Sequence, residues 1–164
     1  NHPIKSFAIV RNPWDRFVST YFFFKNKPSK PNTPSNLLHK YINSFETIDD
    51  FIIQSLTKDM YGFKPNHFWP QYKYIINNKK EVLVDYILYF ETLNEDIEKL
   101  KNKLNLNFDL FHINQSNRGK FIDYFTPRTK EIIGTLYKKD IDLFGYSFDS
   151  YLPEKRLSGK LDLY

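Results

Sequence analysis

Arg11 and Ser19 stand eight residues apart across the sharpest local transition in the chain, Phe7-Ala8-Ile9-Val10-Arg11-Asn12-Pro13-Trp14-Asp15-Arg16-Phe17-Val18-Ser19-Thr20-Tyr21. Ser6 to Val10 is a short apolar run that reads as a buried strand. Arg11-Asn12-Pro13 reads as strand end, helix N-cap and first helical position. In open α/β sheets ligands bind beyond the carboxyl ends of strands, which is where Arg11 falls. Free N–H groups at the start of the next helix add partial positive charge there. A guanidinium at the strand tip and a hydroxyl on the helix can therefore hold one phosphate between them. The same spacing also describes an ordinary β-α unit in which Arg11 pairs with Asp15 or another carboxylate, and spacing alone leaves both open. Arginine is used sparingly: only Arg11, Arg16, Arg118, Arg128 and Arg156 occur among 24 cations. In a chain that defaults to lysine, arginine suits places that need a planar fork.

Other chemistries are excluded more simply. There is no cysteine, so disulfides, thiolate metal sites and a cysteine nucleophile are ruled out. His2, His39, His67 and His112 are scattered without the close spacing a zinc site prefers, so no metal is expected. No Gly-x-x-x-x-Gly-Lys occurs, which argues against a kinase or other P-loop NTPase. The net charge of +5 and a pI near 9.2 favour anionic partners without choosing among nucleic acid, nucleotide and acidic or sulfated glycan.

The elements that must position these residues follow from pattern. With 164 residues, 41% hydrophobic and 26% charged, the chain suits one globular domain with a real core and not a disordered one. Trp14, Phe17, Val18, Tyr21 and Phe24 recur at helical spacing, and Asn12, Asp15, Arg16 and Ser19 form the opposite, polar stripe. Lys27 to Asn36, with three prolines, reads as a surface loop. Thr47-Ile48-Asp49-Asp50 caps a helix to about Leu56. Asn66 to Ile76 is aromatic-rich, a short helix broken or started by Pro70. Val82 to Phe90 is expected as strand, interrupted by Asp85. Thr92-Leu93-Asn94-Glu95 is a capping box opening a helix to Leu104. Phe108 to Ile113 is a further candidate strand and Asn114 to Lys120 a polar loop. Thr126 and Pro127 start a last helix through Lys139. Strands alternating with helices predict an α/β fold with a mostly parallel sheet flanked by helices.

Arg11-Asn12-Pro13-x-Asp15-Arg16-x-x-Ser19-x-Tyr21 resembles the 3′-phosphate-binding motif of the sulfotransferases, especially the carbohydrate branch. Those enzymes use 3′-phosphoadenosine 5′-phosphosulfate (PAPS). Further likenesses follow in the family's order: His67-Phe68-Trp69-Pro70-Gln71, Val84-Asp85-Tyr86-Ile87, Phe90-Glu91-Thr92-Leu93-x-Glu95-Asp96, Asn114-x-Ser116, and Tyr137-x-x-Asp140-x-x-x-Phe144-Gly145-Tyr146. The resemblance implies a P-loop-like sulfotransferase fold over residues 1–148, with 149–164 as a C-terminal extension. It implies sulfuryl transfer from PAPS to a hydroxyl of a carbohydrate-like acceptor, with adenosine 3′,5′-bisphosphate as product and no metal. Arg11 and Ser19 map onto the residues that contact the donor's 3′-phosphate. Arg118-Gly119-Lys120 is a second candidate for that phosphate, since related enzymes place a basic, glycine-containing loop over it; a solvated charged turn is the other reading. His67 is the candidate general base, lying in a family block among aromatics that could stack on a sugar ring. A histidine satisfied by packing and one hydrogen bond reads the same way in sequence. Glu91 and Asp96 are read as strand-helix structure, and His39 and His112 as structural or exposed.

The family's first strand-loop-helix, which wraps the 5′-phosphosulfate, has no counterpart before Arg11, so the fold is expected to lack it. In many relatives the base follows that loop; on that pattern the base is absent here too, and His67 is a bystander or an acceptor-site residue. Two further readings remain: a non-catalytic relative binding a 3′-phosphorylated adenine nucleotide or an anionic glycan, and a nucleic-acid binder. The pI and an aromatic content of 18% prompt the latter, but no RNA-recognition signature occurs and most aromatics fall at core spacing. No nucleic-acid partner is therefore expected. With no signal peptide and no membrane-spanning run, a cytoplasmic location is expected.

Overall fold

In the computed structural model, which describes residues 5–26, 30–56, 66–108 and 118–163, the first apolar run is strand β1 (Phe7–Val10). Pro13 opens helix α1 (Pro13–Asn26). Then come α2 (Pro34–Asn43), α3 (Ile48–Phe51) with a following π-helical turn (Ile52–Leu56), a 3-10 turn (Asn66–Phe68) and α4 (Tyr72–Ile75). Strand β2 (Tyr86–Tyr89) leads through a 3-10 turn (Phe90–Thr92) into α5 (Leu93–Leu104). A 3-10 turn (Phe121–Tyr124), α6 (Pro127–Leu136) and α7 (Lys138–Phe144) complete the order. The architecture is α/β, a small parallel sheet with several helices. The chain divides into two compact units, one of Asn1–Asn12, Pro70–Gln115 and Lys139–Tyr164, the other of Pro13–Trp69 and Ser116–Lys138. No helix among the described residues is long and apolar enough to cross a membrane.

The first unit is built on the sheet. β1 and β2 pair in parallel from Phe7↔Tyr86 to Val10↔Tyr89, as the long intervening connection allows. All four residues of β2 are buried. Alternation sends Ile87 and Tyr89 into a cluster with Val10, Ile75, Phe144 and Tyr146. Tyr86 and Leu88 face Ile97, Leu100 and Leu163. Residues beyond 148 are part of this unit's packing. Lys160 N–H donates to Val84 O (2.9 Å) and Leu161 N–H to Asp85 O (2.8 Å). Two glycines permit the close approach. Gly145 ends α7 at φ +74°, where a Cβ would stand 2.2 Å from Lys155 O; at Gly159 it would stand 2.2 Å from Asp85 O.

The second unit packs around α1. Trp14, Phe17, Val18, Tyr21 and Phe24 are buried, as their spacing predicts. The Phe51 ring lies 6.0 Å from Phe17, 5.5 Å from Tyr21 and 5.8 Å from Phe68. α6 meets α1 where Trp14 Nε1–H donates to Lys130 O (3.1 Å). The Thr47/Asp50 capping box forms as its sequence predicts.

Three local expectations differ. Within Val82–Phe90 only Tyr86–Tyr89 joins the sheet; Val82 makes an isolated antiparallel bridge to Ile76. Thr92 does not cap α5, because its hydroxyl donates to Asp96 Oδ2 (3.3 Å) and accepts from Arg156 Nη2 (2.9 Å). The last helix is broken at Tyr137 into α6 and α7. The candidate strand Phe108 to Ile113 falls almost wholly outside the described residues, as do His2, His112 and Asn114 to Asn117.

Candidate functional site

In the first unit the sheet ladder stops at Val10, and side chains take over. Arg11 N–H donates to Gln71 Oε1 (3.0 Å), and Gln71 Nε2 donates back to Arg11 O (2.9 Å). Gln71 is held in turn by Asp140. That buried carboxylate accepts the N–H of Gln71 (2.7 Å) and of Tyr72 (2.9 Å). On the β2 side, Asn12 N–H donates to Glu91 Oε1 (2.7 Å), and Tyr146 O–H donates to Glu91 Oε2 (2.8 Å). Asn12 Nδ2 reaches Ser147 O (3.0 Å). The guanidinium of Arg11 lies over the Phe90 ring, 4.0 Å from its centre.

Burial pushes the Glu91 carboxyl above its ordinary value; the Asn12 and Glu91 N–H groups, the Tyr146 hydroxyl and the Arg11 charge oppose the shift. Burial, reinforced by the Glu91 carboxylate, raises the Tyr146 phenol. At the end of β2, Tyr89 is pushed up to about 12, chiefly by burial, with the Leu157 N–H and the Arg156 charge opposing.

In the second unit, Arg118 Nη2 forms an ion pair with Asp15 Oδ1, and both side chains are buried. Gly119 N–H donates to the Tyr124 hydroxyl (3.2 Å), while Gly119 and Lys120 are exposed. Ser19 is half-buried on α1. Arg16 donates through Nη1 to His67 O (3.1 Å) and through Nη2 to Trp69 O. The Nε atoms of Arg16 and Arg118 are buried without a hydrogen-bond partner among the described residues. His67 is exposed, its ring edge-on to Phe24 at 4.9 Å. His39 Nδ1 contacts Phe24 O (2.7 Å), a structural role.

Arg11 is thus brought together with Gln71, Phe90 and Glu91, and Arg118 with Asp15. Sequence reasoning missed Gln71, Phe90 and Asp140 as neighbours of the strand tip. The Pro-Gln and Tyr-x-x-Asp segments were the available signals. Among the described residues no group of three or more His, Asp or Glu side chains is arranged to hold a metal ion.

The sequence profile of the sulfotransferase family matches residues 2–147. The chain is also similar to an uncharacterized protein of Archaeoglobus fulgidus, 33% identical over 100 residues that make up 61% of this chain and 67% of that protein. No solved structure matches. With most of its length under the family profile, the chain belongs to the sulfotransferase family.

Proposed function

We propose that this chain serves sulfuryl transfer from PAPS to a hydroxyl of a carbohydrate-like acceptor, on a P-loop-like fold. The observation that carries the reading is the end of β1, where Arg11 has its main chain gripped by Gln71 and its guanidinium stacked on Phe90. A rigidly held arginine beyond a parallel strand suits a fixed phosphate. Motif and chemistry then divide the roles. Arg11 and Ser19 take the donor's 3′-phosphate, which distinguishes PAPS from ATP. The segment Arg118-Gly119-Lys120 is the second element for that phosphate, its charge coming from Arg118 and Lys120. Exposed His67 acts as the base.

The acceptor oxygen attacks sulfur and forms a new S–O bond. The bond from sulfur to the 5′-phosphate oxygen breaks, its electron pair leaving with adenosine 3′,5′-bisphosphate, and the acceptor's proton passes to His67. Positioning and charge stabilisation do most of the work in such an in-line displacement.

Calorimetry with adenosine 3′,5′-bisphosphate and adenosine 5′-monophosphate tests nucleotide recognition: tighter binding of the bisphosphate is expected, and equal affinities refute the reading. Transfer of labelled sulfate from PAPS to a glycan panel tests the reaction itself. Bisphosphate preference without transfer to any acceptor would leave a nucleotide-binding relative in place of an enzyme.

A further inference from the structure

Past the ladder, the peptide groups of β1 are paired with side chains in place of a neighbouring strand. The Gln71 carboxamide accepts from Arg11 N–H and donates to Arg11 C=O, as a facing strand residue would. Glu91 takes the next N–H, from Asn12. Gln71 cannot drift, because Asp140 holds its own N–H and that of Tyr72. The main-chain direction at Arg11 is therefore set by a two-layer chain of contacts, Asp140 to Gln71 to Arg11.

The head of the side chain is set separately. The guanidinium carbon lies over the Phe90 ring, 4.0 Å from its centre. A cation held over an aromatic ring has its rotation restricted. Ordering a long side chain is a large part of the cost of using it to bind, and a stack present before the ligand arrives removes part of that cost.

We infer that Gln71 and Phe90 are positioning residues for Arg11, the first fixing its main chain and the second bearing on its guanidinium, so that a phosphate meets a side chain already restrained. The inference rests on the reading of Arg11 as a 3′-phosphate residue. It goes beyond that reading by assigning the preference for the 3′-phosphate partly to two side chains that do not touch the nucleotide.

The test compares Phe90→Leu, Phe90→Trp and Gln71→Met with the unaltered chain, titrating each with adenosine 3′,5′-bisphosphate and adenosine 5′-monophosphate and recording thermal midpoints. Phe90 is 40% exposed, so its replacement by leucine is compatible with folding. Phe90→Leu should weaken the bisphosphate about three- to tenfold and leave the monophosphate unchanged. Phe90→Trp, which keeps an aromatic face, should restore binding. Gln71→Met should lower the same ratio if it folds; if it does not, the two Phe90 variants decide. Unchanged bisphosphate affinity in Phe90→Leu overturns the inference. So does an equal loss of both nucleotides with a lowered midpoint, which marks a purely structural role. An unaltered chain that does not distinguish the two nucleotides overturns the assignment of Arg11 itself, and the positioning inference falls with it.

Discussion

Removing the Arg156 side chain should cost the fold about 2–3 kcal/mol. Arg156 lies beyond the region matched by the sulfotransferase profile, yet its Nη1 sits 3.1 Å from Asp96 Oδ1. Its Nη2 donates to Thr92 Oγ1 (2.9 Å), and its guanidinium lies 4.9 Å from the centre of the Tyr89 ring. Breaking a buried ion pair by deleting one partner costs about 3–5 kcal/mol, because the other charge stays buried. Asp96 is fully buried, but the Arg156 side chain is 26% exposed, which weakens the pair by solvent screening. The Tyr89 N–H (2.8 Å) and the Thr92 hydroxyl continue to donate to Asp96, offsetting more of the loss. Those two corrections place the expected cost below the range for a wholly buried pair.

The assay is urea unfolding followed by circular dichroism. With a slope of about 2 kcal/mol/M, the midpoint of Arg156→Ala should fall by roughly 1–1.5 M. Asp96→Asn and the double variant complete a cycle, and the coupling should be at least about 1 kcal/mol, since a neutral carboxamide in place of the carboxylate no longer needs the cation. A change within about 0.5 kcal/mol for Arg156→Ala, or additive effects in the cycle, would refute the view that the tail is latched through this pair.

Two further outcomes follow from the same unit. Burial raises the Glu91 carboxyl, so the folded state holds that proton more tightly than the unfolded chain; its contribution to stability is greatest below the ordinary value of 4.5 and is lost as pH rises through the raised one. Glu91→Gln should remove this loss, so the variant gains stability relative to the unaltered chain between acid and neutral pH in urea midpoints; a difference independent of pH would contradict it. Gly145→Ala meets both a positive φ of 74° and a Cβ 2.2 Å from Lys155 O. It should destabilise by more than about 2 kcal/mol in thermal unfolding, and a neutral result would show that the tail yields easily.

What was legible in the sequence is local. The apolar run before Arg11 forms β1, and Pro13 with the stripe from Trp14 to Phe24 forms α1, but the expected burial of the strand fails: Phe7 and Ile9 are exposed. The failures come from partners far along the chain. Val82 to Phe90 is one apolar run, but Asp85 Oδ2 is bound by the N–H and hydroxyl of Ser6 (2.9 Å each), and the ladder begins only after it. Thr92-x-x-Glu95 has the form of a capping box, but a buried Asp96 and an arginine 64 residues away take the hydroxyl. The helix from Pro127 keeps good propensity through Lys138-Lys139-Asp140, yet buried Tyr137 breaks it while its hydroxyl donates to Phe68 O (2.8 Å). Gln71 and Asp140 sit in recognisable blocks. Their bond to each other, and Gln71's to Arg11, span 69 and 60 residues, and no periodicity reports such pairs.

The five arginines of this lysine-rich chain differ in the contacts they make. Arg16 spreads its fork over His67 O and Trp69 O, Arg118 sets its own on Asp15 and Gly119 O, and Arg156 covers Asp96 and Thr92. In each case planar donors meet several protein oxygens that a lysine's point charge could not serve together. Arg128 is exposed. At Arg11 the guanidinium carbon lies over the Phe90 ring, and Gln71 takes the main chain. Arg11→Lys keeps a cation beside the Phe90 ring. The same change should lower the preference for adenosine 3′,5′-bisphosphate, because the fork that meets two phosphate oxygens is gone. Arg16→Lys, Arg118→Lys and Arg156→Lys should each cost about 1–3 kcal/mol. An Arg11→Lys chain that is as destabilised as these three and binds nucleotide unchanged would place Arg11 among the structural arginines. The observation on which the nucleotide reading depends would then be lost.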